Sequence, residues 1–240
     1  MKQKLKRIGA NSLKLLLIVG GISLSTFSNS HNANAATITG NLLNDAGFEP
    51  GTLPLVPYAS GIGRWGNENA NLIVGSNNGI DPFAGSGMVR LNETGGIASQ
   101  VVQFVDVTAW ADAIDEGRVT AQFNMFANSP SSASSVGFSL QGRTIPSNAI
   151  QTFLGGASKG IQLDADSQTW EQLSLDDPFL LPVGTRSVRV DLAATNGTLP
   201  QGAFLDNADL RLTIVPEPMT ILGTLTALAF GVKMKRKVSK

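Results

Sequence analysis

The segment around Trp65 has the residue types that a sugar-binding surface needs. Trp65 lies in a polar, glycine-rich stretch, directly after Arg64 and two positions before Asn67. An exposed aromatic face can stack on the C–H groups of a pyranose ring, while amide and guanidinium groups bond its hydroxyls. The sequence therefore predicts a glycan contact at Trp65, Arg64 and Asn67. The alternative is a tryptophan that seals one end of the protein core.

Composition excludes several kinds of catalytic chemistry. The chain has no cysteine, which excludes disulfides, zinc–thiolate sites, iron–sulfur clusters and thiol nucleophiles. The one histidine, His31, lies in a segment that we expect to be removed, so Ser-His-Asp and Cys-His machinery is not expected. A carboxylate pair of the glycosidase type remains open among the 18 acidic residues, but no spacing selects two of them. We therefore expect no catalytic residues and no enzyme.

Two short motifs match known sites only superficially. Asp164 and Asp166 begin like an EF-hand loop, but the sixth position is Thr169 instead of glycine and the twelfth is Leu175 instead of glutamate. Residues 61–66 match G-x-G-x-x-G, yet no helical pattern follows, as dinucleotide binding requires. The sequence predicts a solvated acidic turn at the first motif and a glycine-rich turn at the second.

The formal net charge of zero hides a separation of charge along the chain. Five basic residues precede position 15, five more follow position 232, and all 18 acidic residues lie between Asp45 and Glu217. The intervening body is therefore strongly acidic. Such a body repels phosphate, which argues against a nucleic acid partner.

Residues 1–36 have the organisation of a secretory signal peptide. A basic segment precedes an apolar stretch from Leu13 to Leu24, and the small residues Ala33, Ala35 and Ala36 mark a cleavage site for signal peptidase. The apolar stretch is short for a bilayer span, which favours cleavage over an uncleaved N-terminal anchor.

Residues 215–240 combine a proline-flanked motif, a short apolar stretch and a basic tail. The motif is Pro216-Glu217-Pro218, and the apolar stretch runs over 219–232. As a helix, that stretch would be about 21 Å long against roughly 30 Å of hydrocarbon. It can insert if the flanking lysines snorkel and the bilayer thins, and the positive tail would then stay cytoplasmic.

This C-terminal segment resembles the PEP-CTERM sorting signal of Gram-negative bacteria and cyanobacteria. The resemblance implies a transmembrane sorting helix that a membrane-embedded exosortase recognises and removes, and a link to exopolysaccharide and biofilm matrix. A plain C-terminal membrane anchor is the alternative. Both interpretations predict export across the inner membrane to the cell envelope, surface or extracellular matrix.

Residues 37–214 are predicted to form one all-β domain, a β-sandwich. Apolar and polar residues alternate over 119–125, 136–140, 188–192 and 208–214, as in half-buried strands. Turn-forming residues separate these runs. A short helix is predicted over 107–116, with Thr108 as N-cap and Gly117 as its stop, and a mobile serine-rich loop over 126–135. We expect Trp110 to pack the short helix and Trp170 to lie in the core.

The domain resembles the galactose-binding-like jelly roll of many carbohydrate-binding modules. The similarity lies in the order of six short elements along 40–214. The first is 41–51, which contains Phe48-Glu49, and the last is 204–210. Between them come the segment at Trp65 and the ranges 87–91, 99–103 and 170–173. Asp45 and Ala46 make the first element longer than the family signature. The resemblance implies a jelly-roll fold and binding of extracellular polysaccharide.

The same resemblance implies a structural calcium ion. First and last strands lie close in such a sandwich, which would bring Glu49 near Asp206, and carboxylates supply the hard oxygens that calcium prefers. The alternative is that Glu49 caps a turn and Asp206 bonds backbone amides. A purely structural surface or matrix protein, and a carboxylate-based glycan hydrolase or lyase, are the alternatives to glycan binding.

Overall fold

Within the residues that the computed structural model describes, the chain is mainly β-strand. The described ranges are 35–50, 56–57, 61–92, 99–130, 134–144, 152–194 and 201–217. Most of the predicted signal peptide, the predicted span 219–232 and the basic tail lie outside them. No helix in these ranges combines the length and the apolar character needed to cross a bilayer.

The strands in the described ranges follow one another with one short helical segment between them. They are β1 (Thr37–Ile38), β2 (Val56–Pro57), β3 (Trp65–Glu68), β4 (Ala70–Val74), β5 (Gly87–Leu91), β6 (Ser99–Asp106), β7 (Val119–Asn128), β8 (Ser135–Arg143), β9 (Phe153–Gln162), β10 (Glu171–Ser174), β11 (Phe179–Leu180), β12 (Ser187–Ala194) and β13 (Ala203–Ile214). The helical segment is a 3-10 turn at Thr108–Trp110 that continues as α1 (Ala111–Asp115).

The strands form two sheets that pack face to face. One sheet has the order β10–β7–β13–β5–β4, with β1 beside β13 and β11 beside β7. The other has the order β2–β3–β6–β12–β8–β9, antiparallel except for β2 and β3. From β5 to β8 each strand crosses to the other sheet, as in a jelly roll. The predicted β-sandwich is therefore confirmed.

The core fills the space between the sheets because alternate residues of each strand point inward. Over 119–126 of β7 and 207–212 of β13, the inward positions are buried and their neighbours are half-buried or exposed. Phe123 of β7 meets Phe138 of β8 across the sandwich, with ring centroids 4.5 Å apart. A second, small apolar cluster of Ile80, Met88 and Phe204 lies apart from this core, and Trp170 packs against it. Trp170, which was predicted to lie in the core, is therefore half-buried against this second cluster and does not pack in the main one.

The helical segment confirms the predicted helix but not its cap. Trp110 packs against the core, and Gly117 ends the segment with a φ of 69°. Thr108 makes no side-chain capping bond; instead its N–H and hydroxyl donate to the Asp106 carboxylate at 2.8 and 2.7 Å. The cap prediction failed because the aspartate two positions earlier is the stronger acceptor.

The serine-rich segment 126–135 was predicted to be a mobile loop. Most of its described residues instead belong to a strand or are buried. Phe126–Asn128 continue β7, and Ser129 and Ser134 are buried, with their hydroxyls 2.6 Å apart. Residues 131–133 lie outside the described ranges. The prediction was wrong because composition alone does not show that small hydroxyl side chains can be packed inside and bonded to each other.

The first and last strands lie side by side. Thr37 is the pairing partner of Ile214 in the β1–β13 ladder. Asn41 continues the contact, since its side chain accepts the N–H of Leu210 at 3.0 Å and donates to the Ala208 carbonyl at 2.8 Å. The chain therefore enters and leaves the sandwich at the same end.

Candidate functional site

A groove on the outer face of the six-stranded sheet is the main candidate site. Residues of β6, β8, β9 and β12 form it, and it encloses about 570 Å³. This volume falls within the range of roughly 300–1,000 Å³ that is typical of ligand sites. Most of the residues that line it are polar or charged, and two are glycines; the lining is Gln100, Gly137, Phe138, Ser139, Gln141, Ser158, Lys159, Gly160, Arg189, Asp191 and Ala193.

An ion pair occupies the floor of the groove. Arg189 and Asp191 are two positions apart in β12, so both side chains lie on the outer face, and Arg189 Nη2 is 2.7 Å from Asp191 Oδ1. Asp191 Oδ2 accepts weaker hydrogen bonds from Ser139 and Gln141, each at 3.3 Å. Burial raises the pKa of the Asp191 carboxyl, and the opposing effect of Arg189 does not outweigh it.

Further polar groups extend this network along the groove. Arg143 donates to the Gln141 side-chain carbonyl, and its guanidinium lies 5.4 Å from the ring centre of Phe153. At the other side, Gln100 donates to Glu68 at 2.7 Å. The groove thus contains amide, guanidinium, hydroxyl and carboxylate groups that are held in place by hydrogen bonds to one another. These are the groups that bind sugar hydroxyls.

Glycines keep part of the groove free of side chains. Gly137 of β8 pairs with Gly160 of β9, and Gly156 pairs with Gln141. A Cβ atom at Gly156 would lie 2.6 Å from the Leu140 carbonyl oxygen, and one at Gly137 would lie 2.9 Å from that of Lys159. Side chains at these two positions would therefore force the β8–β9 pairing apart.

The structure contradicts the prediction that Trp65 presents a sugar-stacking face. Trp65 is only 1 % exposed, its ring packs against Phe48 at 5.1 Å, and its indole N–H donates to the carbonyls of Asn44 and Asp45. Trp65 therefore seals the core, which is the alternative that the sequence left open. Its polar neighbours were misleading because β3 inserts beside β6 and turns Trp65 inward.

The two neighbours predicted with Trp65 do not line the groove. Arg64 is exposed and lies just before β3, and Asn67 is half-buried opposite the inward-facing Val101. The groove residues Arg189 and Asp191 were missed, although a charge pair two positions apart in a predicted strand was a visible signal. The two short motifs behave as expected: 61–66 is a turn into β3, and Asp164 and Asp166 form an exposed turn.

Glu49 and Asp206, the pair that the resemblance selects, both bond to the segment 83–87. Glu49 accepts the N–H and hydroxyl of Ser86 at 3.0 and 2.8 Å, which lowers the pKa of Glu49. Asp206 is fully buried and accepts the N–H groups of Ala84 at 3.0 Å and Asn207 at 2.6 Å. Burial first, and the Glu49 charge as a smaller cause, raise the pKa of Asp206 to about 6.

This arrangement fits a hard cation in part. The carboxylates of Glu49 and Asp206 face the same segment, 83–87. Asp45, four positions before Glu49, has a buried Oδ2 that accepts no hydrogen bond from the described residues. Those residues contain no cluster of three or more acidic or imidazole ligands. Backbone carbonyls and water would therefore supply the rest of the six to eight oxygens that calcium takes.

The predicted processing sites lie at the ends of the described residues. Ala35 and Ala36 are exposed, and Ala33 and Pro218 fall outside the described ranges. Arg118 donates to the Val215 carbonyl at 2.7 Å, and its guanidinium is 3.6 Å from the Glu217 carboxylate. Pro216 is half-buried and Glu217 is exposed directly after the last strand.

Comparisons with known proteins identify the fold and no family. No protein-family profile and no curated protein match the chain. Among solved structures, it is similar to a Stig cyclase from Fischerella sp. TAU in complex with an indole compound, with a TM-score of 0.50, 12% identity, and coverage of 75% of this chain and 100% of that one.

Carbohydrate-binding modules are also among the similar structures. A family 61 module in complex with beta-1,4-galactotriose has a TM-score of 0.48 and 12% identity, covering 72% of this chain and 98% of that one. The C-terminal family 22 module of Clostridium thermocellum Xyn10B has a TM-score of 0.43 and 15% identity, covering 74% and 94%. Identities this low support a shared fold only, so the function has to be argued from the geometry of the site.

Proposed function

We propose that this protein binds a polysaccharide chain in the groove of its six-stranded sheet and does not cleave it. The observation that carries the proposal is the network of Arg189, Asp191, Ser139 and Gln141 at the groove floor. These groups are held in place by mutual hydrogen bonds and still line open space. Such preorganised donors and acceptors suit a ligand that presents hydroxyls in several directions.

The charges of the body favour a neutral glycan. The acidic body would repel a uronic acid polymer at a distance. Within the groove, Arg189 is already paired with Asp191. An anionic chain would have to compete for this cation, whereas a neutral chain could bond to the pair as it stands.

Calcium at Glu49 and Asp206 is proposed as a structural support. The ion would offset the repulsion between the two carboxylates and the cost of burying Asp206. It would fix the segment 83–87 against the seven-stranded sheet, on the side of the sandwich away from the groove. No step of glycan binding depends on it.

For the chain ends we propose export, removal of 1–36 by signal peptidase and recognition of 215–240 by an exosortase-type protease. The protein would then reside in the cell envelope, at the surface or in the extracellular matrix of a Gram-negative-type bacterium or a cyanobacterium. Mass spectrometry of the native protein tests this proposal. Intact ends at Met1 and Lys240 in a cytosolic preparation would contradict it.

Affinity electrophoresis in gels that contain soluble β-glucan, galactan, xylan or mannan tests the groove. Gln141→Ala removes one hydrogen-bonding side chain, so we expect roughly five- to tenfold weaker retention by any polysaccharide that retards the wild type. The control is Thr120→Ala, at a half-buried position on the outer face of the other sheet. Equal retention of wild type and Gln141→Ala contradicts groove binding, and no retention by any gel supports the purely structural alternative.

A carboxylate-based hydrolase or lyase is the second candidate, and one observation favours it. Burial raises the pKa of Asp191 in an open groove, as in residues that act as general acids. A reducing-end assay on the retained polysaccharide separates the two functions. New reducing ends that disappear with Asp191→Asn would establish turnover, and binding without new ends supports our proposal.

A further inference from the structure

A second cleft lies on the outer face of the seven-stranded sheet, on the opposite side of the sandwich from the groove. It encloses about 170 Å³ and is lined by Gly79, Asp81, Pro82, Phe83, Ser167, Gln168 and Trp170. That volume corresponds to about five or six water molecules. A cleft of this size suits one sugar ring.

Two aromatic residues, Phe83 and Trp170, line this cleft, and a third ring supports Phe83 from beneath. Phe83 stacks on Phe126 of β7 with ring centroids 3.8 Å apart and an angle of 14° between the planes. Trp170 meets Phe83 edge-on at 6.0 Å and 68°. Phe83 remains 41% exposed, so part of its ring is open to solvent although its position is fixed from below.

Polar side chains line the cleft beside this aromatic wall. The Asp81 carboxylate accepts a hydrogen bond from Ser76, and the Gln168 amide makes only long bonds of 3.4 Å to the Gly79 carbonyl and the Ser167 hydroxyl. Bonds at that length are weak and readily exchanged for a ligand hydroxyl. An apolar ring face beside exchangeable polar groups is the combination that a pyranose ring matches, since its C–H face is apolar and its rim carries hydroxyls.

Both walls of the cleft are held from outside it. The Trp170 indole N–H donates to the Asp81 carbonyl at 3.1 Å and so joins the two walls directly. Asn128 donates to the Ser167 carbonyl at 3.0 Å, and the buried Asp206 carboxylate accepts the N–H groups of Phe83 and Ala84. The cleft is therefore formed before a ligand arrives, and little ordering would oppose binding.

We propose that this cleft is a second carbohydrate site, which binds one neutral pyranose residue at a chain end or branch. The site is separate from the groove, so the protein would contact glycan on both faces of the sandwich. Neutral sugars are favoured because Asp81 faces the cleft and the body is acidic. A single ring in a small open cleft binds weakly, with an affinity in the millimolar range.

The test is a titration of the isotope-labelled full-length protein with glucose, galactose and mannose, followed by NMR. The cross-peak of the Trp170 indole N–H reports on the cleft, and that of the buried Trp65 is an internal reference. We expect at least one of these sugars to shift the Trp170 peak at millimolar concentration and to leave the Trp65 peak in place. No shift with any of the three overturns the proposal.

Substitutions of Phe83 decide whether the shift comes from stacking. Phe83→Leu keeps an apolar cover over Phe126 but removes the ring, so we expect about tenfold weaker binding, whereas Phe83→Tyr should retain it. Leu180→Ala, another exposed apolar position on this sheet, is the control. Unchanged binding in Phe83→Leu overturns the proposal. Gln141→Ala should leave the Trp170 shift unchanged, so failure at one site is distinguishable from failure at the other.

Discussion

The carboxylate of Asp206 accepts the backbone N–H of Ala84 at 3.0 Å, although 122 positions separate the two residues. This bond fastens the 83–87 segment to the last strand beneath it. Because the acceptor is a buried carboxylate beside Glu49, the protonation of Asp206 and any bound cation should both affect the stability of the fold.

Stability should depend on pH through Asp206. Its pKa is about 6 in the folded protein against an ordinary 3.8, so the folded state binds this proton more tightly than the unfolded state does. The ionised group therefore costs stability at neutral pH, by about 3 kcal/mol at most, and this cost decreases as the pH falls from above 6 towards 4.

Urea unfolding in the presence of a chelator, at pH 7.5 and at pH 5, measures this contribution. Asp206→Asn should show a smaller gain in the free energy of unfolding at the lower pH than the wild type shows. Equal gains in both proteins would mean that the carboxylate of Asp206 does not titrate in this range.

Calcium should raise the melting temperature, and a chelator should lower it, because the ion binds only the folded arrangement of Glu49 and Asp206. The rise should be largest at neutral pH, where both carboxylates are ionised. Glu49→Gln should respond much less to calcium, and Asp112→Asn, at an acidic position in α1 away from the pair, should respond as the wild type does. A melting curve that ignores both calcium and chelator would refute the site.

Gly85→Ala should destabilise the protein more than Gly117→Ala does. Both glycines have a left-handed backbone, with φ of 64° and 69°, so both substitutions incur a similar conformational cost of about 1–2 kcal/mol. A Cβ atom at Gly85 would also collide with the Glu49 carboxylate, whereas the space at Gly117 is open. Equal losses in the free energy of unfolding would show that Glu49 moves aside without cost.

Trp65→Phe should lower stability without affecting glycan retention. It keeps an aromatic ring beside Phe48 but removes the indole N–H that bonds the Asn44 and Asp45 carbonyls, at a cost of about 1–3 kcal/mol. Chemical denaturation measures the loss, with Trp110→Phe as the half-buried comparison. If the variant remains folded but is no longer retained by the glycan, Trp65 must contribute to binding.

The strands of the core could be predicted from the sequence, while the polar surface could not. β7, β12 and β13 alternate apolar and polar residues because one face of each packs between the sheets. β9 was not predicted, since its glycines and small polar residues carry no such alternation at the edge of a sheet. It supplies three of the eleven residues that line the groove, so the site depends in part on a strand that has almost no sequence signal.

Candidate site residues were predictable where the order of elements brings them to one segment. Glu49 and Asp206 both bond the segment 83–87, and a resemblance in the order of elements was enough to select them. The roles of Phe83, Trp170 and Trp65 depended on which side of a strand or loop faces solvent. That choice follows from the pairing register, which hydrophobic pattern does not determine in short, polar strands.

The pairing of Thr37 with Ile214 places the two ends of the body within about 5.5 Å of each other, the separation of antiparallel partners. A short peptide linker could therefore join them at a small entropic cost, and the polypeptide could be opened elsewhere to give a circular permutant. Joining the chain at the β1–β13 pair would therefore close the backbone covalently without changing the groove or the cleft.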